Sequence, residues 1–258
     1  MTRRIAVTGS ASGIGRATAE LARKQGDQVI GIDLTDAEVC ADLSTADGRR
    51  EVVEGVTRLC DGVIDAVVAC AGITQPKPLT VSVNYFGVTE VLAGLRPLLA
   101  RAEAPRAAVV ASMVTTQPYE ADIVEACLAG DESRALELAA AVVECGRGYP
   151  LYPTSKVALA RWVRRTSVAP GWADAGVPLN AVGPGVVLSP MTTGLVDDPA
   201  MRQRMDEAVP MPLNGYAAPE AVAHPLLWLV SPENTHVTGQ LLYVDGGAEA
   251  TLRGDDLW

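Results

Sequence analysis

Metal-binding and disulfide-forming patterns are scarce in this sequence. It contains only two histidines, His224 and His236, and its five cysteines are scattered without a single CxxC pair. Zinc cages and other structural metal sites need several such ligands at short spacings, and disulfide frameworks need paired cysteines. We therefore expect no metal ion and no structural disulfide.

Basic residues and long apolar runs are also lacking. The 21 lysines and arginines are outnumbered by 31 acidic residues, which gives a net charge of −10. A nucleic-acid partner favours a basic face, as an anionic membrane surface does, so we expect neither. No run approaches the ~20 apolar residues that span a bilayer. The short apolar stretch before the first glycines is too brief for a signal peptide, which predicts a cytoplasmic protein.

The remaining composition is that of a globular α/β protein. Hydrophobic residues make up 48% of the chain, and no proline- or serine-rich linker divides it. We therefore expect residues 1–258 to form one doubly wound Rossmann domain around a parallel sheet of about seven strands. The predicted strands are 4–8, 28–32, 39–41, 66–70, 107–112, 177–183 and 241–244, and the longer predicted helices are 45–60, 83–99, 152–169 and 219–230.

One segment interrupts this alternation. Residues 120–146 carry Glu, Asp and Ala with apolar residues at helical spacing, which predicts a helical insertion of one or two helices. The segment from 191 to 209 is predicted to be a loop with short helices.

A glycine turn follows the first strand. Gly9, Gly13 and Gly15 surround Ser12 and Ile14 where the strand passes into a helix. Glycine permits a tight turn and a close approach of the backbone to a pyrophosphate, which the helix N-terminus attracts. A plain tight turn is the alternative.

Asp33 ends the second strand, 18 residues after Gly15. A carboxylate at this place accepts hydrogen bonds from an adenosine ribose and repels a 2′-phosphate. No Arg or Lys stands at positions 10, 34 or 35 to attract that phosphate. The pattern therefore favours NAD(H) over NADP(H), with a solvated carboxylate at the strand end as the alternative.

Further along, Tyr152-Pro-Thr-Ser-Lys156 precedes a helical pattern, and Ser112 ends a buried strand. Oxidation of an alcohol moves a hydride and a proton, and the proton needs an acid/base. The pKa of tyrosine is normally near ~10. Because Lys156 is one helical turn from Tyr152, we expect its charge to lower that pKa. Taken alone, these residues also fit an ordinary helix face and a strand-end cap.

Together these motifs resemble the short-chain dehydrogenase/reductase family. Thr8–Gly15 matches its TGxxxGxG, Tyr152–Lys156 its YxxxK, and Asn84 its helix asparagine; 180–185 matches its NxxxPG segment and 237–247 its C-terminal signature. The resemblance implies that Ser112 donates to the substrate oxygen, that Lys156 binds the nicotinamide ribose and that Asn84 holds a proton-relaying water. It also implies cofactor contacts from Gly9, Ser12, Gly13, Ile14, Gly15, Asp33, Leu34, Asp42, Leu43, Cys70, Ala71, Gly72, Tyr152, Lys156, Pro184, Gly185, Val187 and Ser189.

Two features depart from the common family pattern. Ala69-Cys-Ala-Gly72 stands where the family often has Asn-Asn-Ala-Gly, and Cys70 is interpreted as a small buried residue rather than a reactive thiol. The 40 residues between Ser112 and Tyr152 exceed the usual gap. A long insert here resembles the 3α-hydroxysteroid dehydrogenase/carbonyl reductase subgroup and the bacterial coniferyl-alcohol dehydrogenases that are similar to it. Since the Tyr-bearing helix forms an interface in common tetramers, we expect a homodimer or a differently built homotetramer, unless the insert is only an elaborated lid.

The substrate is predicted to be a hydrophobic alcohol or ketone. Residues 190–215 form the predicted substrate loop, which lacks an Arg or Lys cluster that could bind an anionic substrate. Its methionines are also consistent with an ordinary hydrophobic core. Steroid, coniferyl and terpenol alcohols remain open. A non-catalytic NAD(H) sensor and a sugar-nucleotide epimerase are the rival classes; a sensor is expected to lose the Tyr or Lys, and an epimerase is expected to be longer. The apolar and sulfur-rich loop side chains are Pro190, Met191, Leu195, Met205, Val209, Met211 and Leu213.

Overall fold

A seven-stranded parallel sheet forms the centre of the molecule. The computed structural model describes residues 2–255. The strand order is β3-β2-β1-β4-β5-β6-β7, and every neighbouring pair is parallel. The predicted fold class is confirmed. The strands are β1 (Arg4–Thr8), β2 (Gln28–Asp33), β3 (Val39–Cys40), β4 (Ala66–Ala69), β5 (Arg106–Val110), β6 (Leu179–Pro184) and β7 (Leu241–Val244).

Helices cover both faces of the sheet. Helices α1 and α10 pack together on one face, and α2, α4 and α7 lie on the other. The helices are α1 (Gly13–Lys24), α2 (Ala46–Leu59), α3 (Leu79–Val81), α4 (Gly87–Leu99), α5 (Ala121–Leu128), α6 (Glu132–Glu144), α7 (Leu151–Thr166), α8 (Thr193–Val196), α9 (Pro199–Ala208), α10 (Pro219–Leu229) and α11 (Ala248–Arg253).

The central strands are apolar without alternation because both of their faces are covered. All residues of β4, β5 and β6 are buried. This is the pattern expected of parallel strands between two helical layers. Because the strands are parallel, their carboxyl ends meet at one edge, and the chain order reverses between β1 and β4. A crevice at such a reversal is where ligands bind in doubly wound sheets.

Two details differ from the sequence-based prediction. The helix predicted over 83–99 is continuous with α3 through a π-helical turn, Ser82–Phe86, which periodicity alone does not indicate. Helix α11 was not predicted, because Gly246 and Gly247, both with positive φ, suggest only a turn, and the helix has six residues.

The predicted insertion at about 120–146 consists of α5 and α6. The two helices are separated by Gly130, which has a positive φ, and Asp131, whose side chain caps α6 by accepting from Arg134 N. Helix α5 packs on α7, and α6 contacts α3 and the π-helical turn. Across residues 2–255, we find no helix with the length and apolar character that crossing a membrane requires.

Candidate active site

A cavity of about 620 Å³ opens at the carboxyl ends of the strands. It brings together residues from both halves of the sheet, and its wall contains every residue predicted to bind cofactor, as well as Ser112. Asn84, predicted to be catalytic, does not line it and is fully buried behind the wall. The lining residues among those predicted are Gly9, Ser12, Gly13, Ile14, Gly15, Asp33, Leu34, Asp42, Leu43, Cys70, Ala71, Gly72, Ser112, Tyr152, Lys156, Pro184, Gly185, Val187 and Ser189.

The glycine turn requires glycine at two positions for steric reasons. Gly9 has a φ of +70°, and a Cβ there would lie 2.9 Å from the Ala71 backbone nitrogen. A Cβ on Gly15 would collide with the carbonyl oxygen of Gly9. The missing side chains let the turn pack against the segment after β4 and leave the start of α1 open to the cavity.

The first turn of α1 is suited to an anion. Ser12 is the N-cap residue in an extended conformation, its side chain makes no capping hydrogen bond, and the turn has no acidic residue. The first N–H groups of a helix have no partner within the helix and carry partial positive charge. A phosphate in the cavity would complete their hydrogen bonding.

Asp33 connects the end of β2 to the glycine turn. Its Oδ2 accepts from Ala11 N at 2.9 Å, and its Oδ1 accepts from Leu34 N at 2.8 Å. Each carboxylate oxygen has a further lone pair that a hydroxyl can use. The carboxylate therefore both orients the turn and offers acceptors to the cavity.

Tyr152 and Lys156 lie on the first turns of α7, next to the end of β5. Lys156 is 3% exposed, its Nζ donates to Val110 O at 2.8 Å, and it lies 5.9 Å from the ring centroid of Tyr152. Ser112 follows β5 and accepts from Val114 N at 3.3 Å. Helix α7 and the β5 end thus bring all three predicted side chains to one wall.

The electrostatics of this wall differ from the prediction. Burial raises the pKa of Tyr152, and a hydrogen bond with Ser112 acts in the opposite direction without overcoming it. Burial also lowers the pKa of Lys156 to about 8. The expectation that Lys156 lowers the pKa of Tyr152 is therefore wrong for this arrangement, because burial of Tyr152 outweighs the influences that lower its pKa.

The burial of Lys156 has a consequence for stability. Its pKa is about 8 in the folded chain and near ~10.4 when unfolded. The folded state binds this proton more weakly, so the protonated lysine destabilises the fold below pH 8, and the cost shrinks as the pH rises above 8. We expect the unfolding free energy of Lys156→Met, relative to the parent, to fall by about 2 kcal/mol between pH 7 and pH 9.5.

Urea denaturation at the two pH values measures this difference. Lys24→Met removes an exposed lysine and serves as the control, for which we expect no comparable change. A difference for Lys156→Met that is the same at both pH values would contradict the lowered pKa.

Asn84 acts through its carboxamide as a link between segments. Its Oδ1 accepts from Ile73 N at 2.8 Å, and its Nδ2 donates to Ile73 O at 2.9 Å and to Ser155 Oγ at 3.0 Å. Both amide hydrogens are therefore engaged by the protein. The contacts give Asn84 a positioning role between the segment after β4 and α7, and the water relay stays a prediction.

The segment Ala69–Gly72 is held without the asparagine common in the resembling family. Thr8 Oγ1 accepts from Ala71 N at 3.0 Å and supports the segment from β1. A Cβ on Gly72 would lie 3.1 Å from Asn84 Oδ1, so a small residue is needed there. Burial raises the pKa of the Cys70 thiol to about 12, which keeps it neutral and argues against a reactive thiol. Cys70 is only partly buried and lines the cavity, so the interpretation as a buried residue is wrong in that respect.

The predicted substrate loop divides into two parts. Pro190, Met191, Leu195, Met205 and Val209 line the cavity, but Met211 and Leu213 do not. Met211 Sδ instead accepts from Val186 N at 3.2 Å, and Leu213 is 65% exposed. The prediction is wrong for these two residues because the chain leaves the cavity after Val209 and passes beneath Gly185.

Sequence reasoning missed several lining residues that are adjacent to recognised ones. The missed wall is largely apolar, and among residues 2–255 only Asp33, Asp42 and Lys156 bring charged side chains to the cavity. The sequence offered one indication of the missed residues, because several of them directly follow Gly72 or Ser112 in the chain. The missed residues include Ile73, Thr74, Gln75, Leu79, Val83, Met113 and Val114.

Neither the insertion nor four of the five cysteines line the cavity, and Cys70 is the exception. No residue of 120–146 lines the cavity, so α5 and α6 do not form a lid over it. All five cysteines are free. Among residues 2–255, no group of three or more His, Cys, Asp or Glu side chains is arranged to hold a metal ion.

Comparison with known proteins adds three findings. The family model described as enoyl-(acyl carrier protein) reductase matches residues 9–249. A 3α-hydroxysteroid dehydrogenase/carbonyl reductase from Comamonas testosteroni is 37% identical over 254 residues, which cover 96% of this chain and 97% of the relative. The crystal structure of a 3α-hydroxysteroid dehydrogenase from Pseudomonas sp. B-0831, complexed with NADH, superposes with a TM-score of 0.91 at 42% identity and covers 98% of this chain and 100% of that one.

A more distant structure shares the fold. Aldohexose dehydrogenase from Thermoplasma acidophilum superposes with a TM-score of 0.75 at 22% identity, covering 98% of this chain and 96% of that one. At this identity the likeness concerns the arrangement of sheet and helices alone.

Proposed function

Because the chain belongs to the short-chain dehydrogenase/reductase family, we propose that it uses NAD(H) to interconvert a hydrophobic secondary alcohol and its ketone. The chain is an oxidoreductase that acts on an alcohol or a carbonyl group. One observation carries the finer proposal: Tyr152, Ser112 and Lys156 line the same cavity as the glycine turn and Asp33.

The residues of the cavity fit a dinucleotide. The Gly9–Gly15 turn and the open first turn of α1 would hold the pyrophosphate, and Asp33 would bind the adenosine ribose. Among residues 2–255, Lys156 is the one basic side chain that lines the cavity, and it lies beside Tyr152 rather than beside Asp33, which favours NAD(H) over NADP(H). When bound, the nicotinamide supplies the hydride acceptor or donor that the protein itself lacks.

The protein's own groups manage the proton. Tyr152 is a neutral phenol at pH 7, because the ordinary pKa of tyrosine is near ~10 and burial raises it further. Its hydroxyl can therefore donate a proton to the oxygen of a ketone during reduction. In oxidation the phenol must first release its own proton, after which the same oxygen takes the proton of the alcohol, so this direction is favoured at higher pH. Ser112, whose hydroxyl lies within reach of Tyr152, would turn its single O–H towards the substrate oxygen and hold it in place.

Lys156 and Asn84 would support these groups. Lys156 is held by Val110 O at the cavity wall, where its ammonium group can donate to the nicotinamide ribose. Asn84 fixes Ile73 and Ser155, and thereby the spacing between the segment after β4 and α7. We therefore propose Tyr152, Ser112 and Lys156 as the catalytic residues and Asn84 as the residue that positions them.

The substrate end of the cavity fits an apolar ring system. Met113, Val114, Leu195, Met205 and Val209 line it, and Lys156 is the one basic lining side chain within residues 2–255. Two relatives carry the name hydroxysteroid dehydrogenase. We therefore place a hydroxysteroid or a similar polycyclic alcohol first, with coniferyl or terpenol alcohols as the second candidates. A sensor without chemistry is not supported, since the acid/base and its partners are assembled.

The inserted helices bear on the proposed oligomeric state. Helix α5 packs on α7 within the chain, with Ile123 and Val124 buried, so part of the α7 face is already covered. We propose a homodimer, or a homotetramer that does not use this part of α7.

We also propose that residues 1–258 form a single domain in the cytoplasm, with neither nucleic acid nor membrane as a partner.

A spectrophotometric panel tests the function. We expect NADH formation at 340 nm from NAD with at least one class of ring alcohol: androsterone, coniferyl alcohol, cyclic terpenols or aryl carbinols. NADP run in parallel should give a much lower rate, because Asp33 repels the 2′-phosphate. Absence of turnover with every class, despite NADH binding followed by fluorescence, would contradict the proposed reaction and substrate class.

A further inference from the structure

Arg49 of α2 is a buried cation with an unusually complete set of partners. Its side chain is 2% exposed. Nε donates to Leu43 O at 2.8 Å, and Nη2 donates to Ser44 O at 3.3 Å. The remaining donors meet two carboxylates: Glu132 accepts from Nη1 at 2.7 Å and from Nη2 at 2.6 Å, and Glu90 pairs with Nη1 at 3.1 Å. All five guanidinium N–H groups thus have an acceptor.

The two carbonyls that Arg49 holds belong to the wall of the cavity. Asp42, Leu43 and Ser44 all line it, as do Asp33 and Leu34 from the end of β2. Asp42 Oδ1 accepts from Ser44 N at 2.9 Å, which makes the segment a compact turn just before α2. Under the proposed function, this part of the wall faces the adenosine half of the cofactor, away from Tyr152 and Ser112.

The carboxylate that completes the contacts of Arg49 comes from the insertion. Glu132 is the first residue of α6, 83 positions from Arg49 in the chain, and its two oxygens engage the guanidinium in a bidentate pair. Such pairs fix the orientation of the planar group as well as its position. The Glu132 side chain is 26% exposed, whereas that of Glu90 is 46% exposed and makes one contact. Glu132 is therefore the main orienting partner.

We infer that the insertion positions the adenosine-binding wall of the cavity through Glu132 and Arg49. Glu132 orients the guanidinium, and the guanidinium holds the carbonyls of Leu43 and Ser44, so the turn 42–44 keeps the shape that the adenosine half contacts. Glu132 and Arg49 are positioning residues, because neither lines the cavity. The inference rests on the proposed function, since it assigns that wall to the adenosine half of NAD.

Glu132→Gln tests the inference with minimal change in shape. The amide keeps one acceptor but turns an N–H group towards the guanidinium, so one of the two contacts is lost. We expect the Kd of ADP-ribose, measured by calorimetry, and the KM of NAD to rise on the order of tenfold. At saturating NAD, kcat should stay within twofold of the parent. Reduction of the matching ketone by reduced nicotinamide mononucleotide, which lacks the adenosine half, should not change.

Two further variants make the result specific. Glu137→Gln removes the same charge from the same helix, where it breaks an exposed pair with Arg134 of 2.8 Å, and should leave the Kd of ADP-ribose unchanged. Glu132→Asp keeps the charge with a shorter reach, so its Kd should fall between those of the parent and Glu132→Gln. It also serves as the measured variant if Glu132→Gln does not fold.

The outcomes separate this inference from the proposed function. Equal Kd values for Glu132→Gln and Glu137→Gln would overturn the inference, and so would an equal loss of ketone reduction with NADH and with reduced nicotinamide mononucleotide. Failure of the parent chain to bind ADP-ribose or NADH would contradict the proposed function itself.

Discussion

Replacing Tyr152 with phenylalanine is expected to lower kcat by about a thousandfold or more while the Kd of NADH stays within about threefold. The substitution removes only the hydroxyl, which is the group that gives or takes the proton of the substrate oxygen. The ring stays in place on the first turn of α7, where it lines the cavity without contributing a charge. Steady-state turnover and NADH fluorescence measure the two quantities on the same preparation.

Tyr149→Phe provides a matched control three residues earlier. Tyr149 is 85% exposed and does not line the cavity, so the same chemical change there should leave turnover and binding unaltered. Turnover of Tyr152→Phe within tenfold of the parent would exclude Tyr152 as the acid/base. A parallel loss of NADH binding would indicate a structural role for the hydroxyl instead.

Replacing Asp33 with alanine is expected to shift the preference for NAD over NADP, given by the ratio of their kcat/KM values, by about a hundredfold towards NADP. Two effects add. The carboxylate no longer repels a 2′-phosphate, and NAD loses the acceptor for its ribose hydroxyl. Affinity for NAD should fall further than the ribose contact alone requires, because Asp33 Oδ2 also holds Ala11 N in the glycine turn.

Asp33→Asn separates these two effects. The amide retains one oxygen that can accept from Ala11 N but carries no charge, so we expect the repulsion of NADP to weaken while the turn keeps its shape. Asp47→Asn, at an exposed position in the first turn of α2, removes a charge of the same sign and should leave the preference unchanged. If Asp33→Ala and Asp33→Asn both keep the preference of the parent, the ribose argument is wrong.

The sheet and the glycine turn were predictable because local signals determine them. Apolar β-branched runs predict buried strands, and a glycine turn followed by a carboxylate at the end of β2 favours a dinucleotide site over a plain turn. The structure brings these features to one edge of the sheet. The gathering of Ser112, Tyr152 and Lys156 was predictable only from the order of motifs. Their distances in the folded chain depend on α7 lying against the turn that follows β5, where Lys156 Nζ donates to Val110 O.

What the sequence did not predict depends on tertiary contacts. Met205 and Met211 have the same chemistry in the same loop, yet one lines the cavity and the other packs beneath Gly185. The raised pKa of Tyr152 follows from desolvation that no spacing encodes. The pair between Arg49 and Glu132 joins residues 83 positions apart and had no signal in either segment.

The insertion illustrates the same limit. Its helical character was evident from periodicity, because apolar residues recur at helical spacing between Gly130 and Gly146. Its position was not evident: α5 lies on α7, and α6 begins with the carboxylate that reaches Arg49. The inserted segment therefore contacts Arg49, the residue that holds the turn 42–44 in the cavity wall.

The most direct test of the central claim follows the hydrogen that is transferred. A ring alcohol that the enzyme oxidises, deuterated at its carbinol carbon, is incubated with NAD, and the NADH produced is analysed by mass spectrometry. Direct hydride transfer in the cavity predicts one deuterium in the NADH and a slower turnover with the deuterated alcohol whenever hydride transfer limits the rate. NADH that carries no deuterium would contradict the account.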